Sequence, residues 1–148
     1  YQCDWSSDVC SSDLNTTTVT GVYTVRYRFD GFLQPINDTA HQVGVATSTF
    51  KAGSTVPAKL QLKRDDGAVV QSPTAPVWLT PVKGSATSAA VDETVYTASA
   101  DSGSTFRYDA TAQQYLYNWK SSSAGGNYWR IGVRLDDGQT YYVNIGLR

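Results

Sequence analysis

Residues 127–148 read NYWRIGVRLDDGQTYYVNIGLR, and their reading decides the fold. Trp129, Ile131, Val133 and Leu135 fall on one side of an extended chain, while Tyr128, Arg130 and Arg134 fall on the other. After Asp137-Gly138 the alternation resumes, with Tyr141, Val143, Ile145 and Leu147 on one side and Tyr142 on the other. A period of two in β-branched and aromatic residues marks a strand with one buried face. Asp-Gly between two such runs supplies the positive dihedral angles of a tight hairpin turn.

The same pattern extends toward the N-terminus. QYLYNWK (114–120) sets Tyr115, Tyr117 and Trp119 on one face. TVPAKLQLKRDDGAVV (55–70) reads as another hairpin, with Val56, Ala58, Leu60 and Leu62 inward, Lys59, Gln61 and Lys63 outward, and Asp66-Gly67 at the turn. VTGVYTVRYRF (19–29) predicts a strand with Tyr23, Val25, Tyr27 and Phe29 on one face, and GFLQPIND breaks it at Pro35 and Asn37-Asp38. PVWLTPV (76–82) lies between prolines and predicts a short strand near a sheet edge. The stretch 83–104 is rich in Gly, Ser, Thr and Ala and reads as loop, with one weak strand at ETVYTAS. Nothing longer than a turn has helical periodicity, so the chain is expected to be all-β, an antiparallel β-sandwich.

The 148 residues accommodate one ordinary domain and a short extra piece. With 17% charged residues and 41% hydrophobic ones, disorder is not expected for the bulk, and no apolar run reaches membrane-spanning length. The chain contains no Met, which points to a fragment or a processed piece. Its first fourteen residues, YQCDWSSDVCSSDL, differ in character from the rest and hold both cysteines. Residues 3–14 resemble a translated sequencing-library adapter, so 1–14 are expected to be an adapter-derived artefact that is disordered. Without Asp4, Asp8 and Asp13 the balance becomes 12 Lys and Arg against 10 Asp and Glu, a net of +2 instead of −1. Neither value suggests steering toward nucleic acid or a membrane.

GFLQPIN (31–37), KAGSTVPAKLQLK (51–63), YDATAQQYLYNWK (108–120) and WRIGVRLDDG (129–138) together resemble a bacterial module named for a Pro-x-Lys-Phe (PxKF) motif. The resemblance covers about residues 29–148 and implies an immunoglobulin-like β-sandwich of exported multidomain proteins. The motif reads Pro57-Ala58-Lys59-Leu60, with Leu in place of the final Phe. Many members carry a cysteine near the position of Trp78 and another near Trp129. The resemblance therefore implies two indoles packed in the core where others hold an inter-sheet disulfide. Residues 15–28 look like the closing strand of a truncated preceding repeat, or a linker, expected to pair with this module's sheet or lead into it.

Catalytic candidates are few. His41 is the only histidine and lies in a loop, with no nucleophile-elbow motif to join it. Asp65-Asp66-Gly67 and Asp136-Asp137-Gly138 offer paired carboxylates or oxygen ligands for calcium, but both read better as hairpin turns. Lys59 reads as an outward strand lysine with its stem over a neighbour. Tyr115, Tyr117, Trp119 and Trp129 keep register with Leu and Val and read as core. Tyr128 and Tyr142 fall on the opposite faces and, with Arg130 and Arg134, form the candidate ligand platform.

These readings converge on a noncatalytic spacer or terminal module of a bacterial secreted or cell-surface protein. It would need no cofactor or metal, and its partners would be neighbouring domains of the parent chain. The alternative is a module that binds carbohydrate, such as a polysaccharide or cell-wall glycan, through exposed aromatics. Nucleic-acid binding and membrane insertion are not expected.

Overall fold

The computed structural model describes residues 25–87, 96 and 98–148. The expectations for residues 1–14, for Cys3 and Cys10, for Tyr23 and for most of ETVYTAS lie outside the described residues.

The described strands run β1 (Phe32–Leu33), β2 (Thr49–Phe50), β3 (Thr55–Leu60), β4 (Leu62–Lys63), β5 (Val69–Val70), β6 (Val77–Ala86), β7 (Arg107–Asp109), β8 (Gln114–Lys120), β9 (Asn127–Arg134) and β10 (Thr140–Leu147). No helix occurs among the described residues. One four-stranded sheet has the order β1-β3-β8-β7 and a second the order β2-β10-β9-β6, while β4 and β5 form a small hairpin of their own. The two larger sheets pack face to face as a β-sandwich. All pairings are antiparallel except β2 with β10, which run parallel through Thr49 and Gly146, so the second sheet is mixed rather than antiparallel throughout.

The alternation predicted for the last third holds. In β9 and β10, Ile131, Val133, Val143, Ile145 and Leu147 are almost wholly buried, as is Leu135 just beyond β9. Their hairpin turns at Asp137-Gly138, where Gly138 adopts φ 84°. This fixes the register, with Thr140 opposite Arg134 and Tyr142 opposite Gly132. From β3 and β4, Val56, Ala58, Leu60 and Leu62 face inward and are fully buried. Between the sheets runs an aromatic row. Trp78 of β6 stacks on Tyr117 of β8, with ring centroids 4.7 Å apart. Trp119 follows at 6.1 Å from Trp78, and Trp129 at 6.0 Å from Trp119.

Three expectations need correction. Trp78 and Trp129 do not meet as a direct ring pair: Trp78 lies opposite Val133, four residues from Trp129 along β9, and Trp119 of the opposing sheet stands between them. No continuous strand covers residues 25–29: Arg28 makes a single bridge to Lys63, and Val25 is 73% exposed. β6 is longer than its prolines suggested, passing Pro81 and reaching Ala86 with register shifts between Leu79 and Val82 and between Lys83 and Ala86. An edge strand tolerates this, because beyond its bridge at Val77 to Thr105 the outer side of β6 has no pairing strand among the described residues. Pro57 sits on β3, which lies between β1 and β8. β1 pairs only with Lys59 and Leu60, so beside Pro57 that flank of β3 has no strand requiring a donor.

The chain meets the sandwich at one end and reaches Arg148 at the other. Tyr27 donates its backbone N–H to the Asp137 carboxylate at 2.9 Å, at the β9–β10 turn. Asp30 accepts from Arg28 Nε and Lys63 Nζ, each at 2.8 Å, and these contacts hold its carboxyl below the usual carboxylate range, Lys63 being the larger cause. Arg148 lies beyond the far end of β10, donating its N–H to the Phe50 carbonyl at 3.0 Å. The length of β10 separates the two ends by about 24 Å.

Candidate functional site

The outer face of β10, β9 and β6 gathers the residues singled out as a platform. Strand alternation sends Tyr128, Arg130 and Arg134 outward from β9, with Gly132 between the two arginines. On β10, Tyr142 is paired with Gly132 and Asn144 with Arg130. On β6, Leu79 is paired with Gly132 and Val82 with Arg130. A Cβ built on Gly132 would come within 2.6 Å of Tyr142 Cδ1 and 3.2 Å of Leu79 Cδ1. The Tyr142 ring therefore lies across Gly132, in space that only a glycine leaves open. The guanidinium carbon of Arg130 stands 5.8 Å from the centre of that ring, within cation–π range. Tyr142 is 46% exposed and Val82 62% exposed, so this face presents two of the large apolar side chains most open to solvent among the described residues.

Two shallow depressions meet on this face. One, of about 370 Å³, is lined by residues that include Val82, Lys83, Tyr128, Arg130 and Asn144. The other, of about 220 Å³, is lined by Thr39, Ala40, Arg130, Tyr142, Val143 and Asn144. Arg130 and Asn144 belong to both, and no carboxylate lines either. Among the described residues, Lys83, Arg130 and Arg134 appear in no ion pair. All four platform residues thus share one face. Sequence reasoning missed Lys83, Val82 and Asn144. The turn at Asp137-Gly138 already implies the register that sets Asn144 beside Arg130. The β6 contribution depends on a bulge that no local pattern announces.

The other candidates resolve into structural roles. Lys59 is half-buried on β3 opposite Leu116 of β8, while Leu60 and Pro57 of the same motif are buried. Asp66 accepts the N–H of Ala68 at 3.0 Å. Asp137 accepts those of Tyr27 and Gln139, each at 2.9 Å, and Asp136 accepts that of Thr74 at 3.3 Å. These are turn and loop contacts, and no group of three or more metal-ligating side chains occurs among the described residues.

His41 is not a loose loop histidine. Its Nδ1 lies 2.9 Å from Oδ2 of Asp38, and its ring meets those of Phe29 and Tyr141 edge-on at 5.0 and 5.6 Å. Asp38 is fully buried and also accepts the backbone N–H groups of Phe32 at 2.8 Å, Ala40 at 3.0 Å and His41 at 3.3 Å. An Asp–His pair is two-thirds of a nucleophile-activating constellation. Here His41 packs against rings, no serine hydroxyl bonds to it among the described residues, and the carboxylate ties the loop that follows β1 back onto the sandwich. The sequence signal was Asn37-Asp38, read only as a turn.

Among the described residues no helix is long and apolar enough to cross a membrane. Comparison with protein-family models, with curated proteins and with solved structures returned no match.

Proposed function

We propose that this chain carries an immunoglobulin-like module that serves as a noncatalytic spacer or terminal cap in an exported or cell-surface bacterial protein. In immunoglobulin-like sandwiches strands A, B, E and D form one sheet and C, F and G the other. With β1, β3, β6, β7, β8, β9 and β10 taken as A to G, the sheets read A-B-E-D and G-F-C, and β2 adds to G as a parallel strand. This order supports the assignment that the PxKF-like blocks suggested. The absence of catalytic work is supported by the way Asp38, Asp66, Asp136 and Asp137 are each engaged with backbone N–H groups.

The observation that carries the spacer reading is the placement of Tyr27 and Arg148 at opposite ends of β10. Neighbouring domains joined through Tyr27 and Arg148 would follow one another in line, because Tyr27 sits beside Asp137 and Arg148 beyond Leu147. Force along that line pulls β2 and β10 in opposite directions. Because they are parallel, their hydrogen bonds are loaded together in shear instead of opening one by one.

The test is single-molecule stretching of the full chain tethered through its two ends. The expected result is one cooperative rupture that moves to lower force when the β2–β10 pairing is weakened. Gradual extension at low force would count against the spacer role.

A further inference from the structure

We infer that the outer face of β10, β9 and β6 is a binding surface for a carboxylated polysaccharide, a polyuronate strand. It stands apart from the spacer reading, since this face can fail to bind while the module still bears load.

The charge arrangement comes first. Arg130 and Arg134 sit on one sheet face, and Lys83, opposite Trp129 on the edge strand, lines the depression beside Arg130; none of the three makes an ion pair among the described residues. No carboxylate lines the two depressions that meet at Arg130. A guanidinium left in this way is a planar fork that matches a carboxylate with two parallel hydrogen bonds.

The aromatic arrangement is the second observation, and it selects a sugar. Arg130 and Arg134 stand two residues to either side of Gly132, about 13 Å apart along the strand. Tyr142 fills the position between them by lying across Gly132, with Leu79 beside it. A ring lying along the sheet, bracketed by cations, accepts the apolar C–H face of a pyranose while an arginine takes its carboxylate. Asn144, opposite Arg130, supplies an amide donor and acceptor for ring hydroxyls.

The shape is the third. The two depressions are shallow and continuous through Arg130 and Asn144, which suits a strand lying along the face better than an enclosed small molecule. A nucleic acid fits less well. It presents a phosphate at every residue, and three cations on a chain of net charge −1 give little of the counterion release that drives such binding.

Affinity electrophoresis of the full chain through gels containing polygalacturonate tests this, with neutral dextran, dextran sulfate and single-stranded DNA in parallel gels. Polygalacturonate should retard the chain and dextran should not. Arg130→Gln with Arg134→Gln should weaken retardation by about tenfold or more, with an unchanged Tm. Tyr142→Leu keeps an apolar cover over Gly132 but removes the ring, and should weaken it comparably. The inference is overturned by absent retardation or by retardation that survives either variant. Equal retardation by dextran sulfate or DNA also overturns it, since that is attraction of charge without recognition of a uronate.

Discussion

Trp78 and Tyr117 stack with their ring planes 15° apart, one from each sheet, and so join the two layers of the sandwich. Trp78 also meets Phe106 at 6.0 Å and Trp119 at 6.1 Å, placing it at the centre of the aromatic row. Trp78→Ala should destabilise the fold by about 3–5 kcal/mol, the range for deleting a buried aromatic side chain. Trp78→Phe should cost markedly less, since it keeps a ring against Tyr117. Equilibrium denaturation of both variants checks the order.

Asp38 has a fully buried carboxylate that holds three backbone N–H groups and the His41 ring. Asp38→Ala leaves those donors without a partner in a closed site, and the expected loss is about 2–4 kcal/mol. His41→Ala should cost less, because the carboxylate keeps its backbone partners. If His41→Ala proved the more damaging of the two in the same denaturation experiment, the carboxylate would not be the anchor of this loop.

Burial raises the pKa of Tyr27, Tyr115, Tyr117 and Tyr141 above the ordinary phenol value, and in each it is the largest cause. Below about pH 10 these phenols keep their protons in both the folded and the unfolded chain, so they leave stability level. As the pH rises toward their folded values, the folded chain retains protons that the unfolded chain releases. Stability therefore falls on the alkaline side. An ultraviolet phenolate titration should show these tyrosines ionising late and together with unfolding. A single phase near the free-tyrosine value, with the fold intact, would contradict the burial.

Two glycines should respond differently to alanine. A Cβ on Gly146 would lie 2.6 Å from Oγ1 of Thr49, a residue only 2% exposed on the parallel strand. Thr49 has little room to yield, so Gly146→Ala should cost about 1–3 kcal/mol, the usual range for overpacking, and should loosen β2 from β10. Gly132→Ala meets the ring of Tyr142, which can swing toward solvent, so its cost should be smaller and should appear mainly as a change in tyrosine fluorescence. Thermal melts of the two variants, with amide exchange along β10, separate these outcomes.

Much of the sandwich was legible in the chain. The alternation in 114–120 and 127–147 predicted β8, β9 and β10 with their inward faces, and the turn at Asp137-Gly138 set the register between the last two. Tyr128, Arg130, Arg134 and Tyr142 were correctly assigned to an outer face because a period of two is a local property. The surroundings of Trp78 were less legible in the chain. The family resemblance implied a buried indole but not which rings surround it, and Trp119 was not expected between Trp78 and Trp129.

The sequence by itself determined which residues turn inward and where the chain reverses, because both depend on side chains and dihedral preferences within a few residues. Only the tertiary structure decided that β2 joins β10 in parallel, that Asp38 is sealed beneath the loop after β1, and that Tyr142 lies over Gly132 between two arginines. Those outcomes depend on contacts between strands far apart in the chain. They are selected by how the two apolar faces fill the space between the sheets, and no run of neighbouring residues encodes that fit.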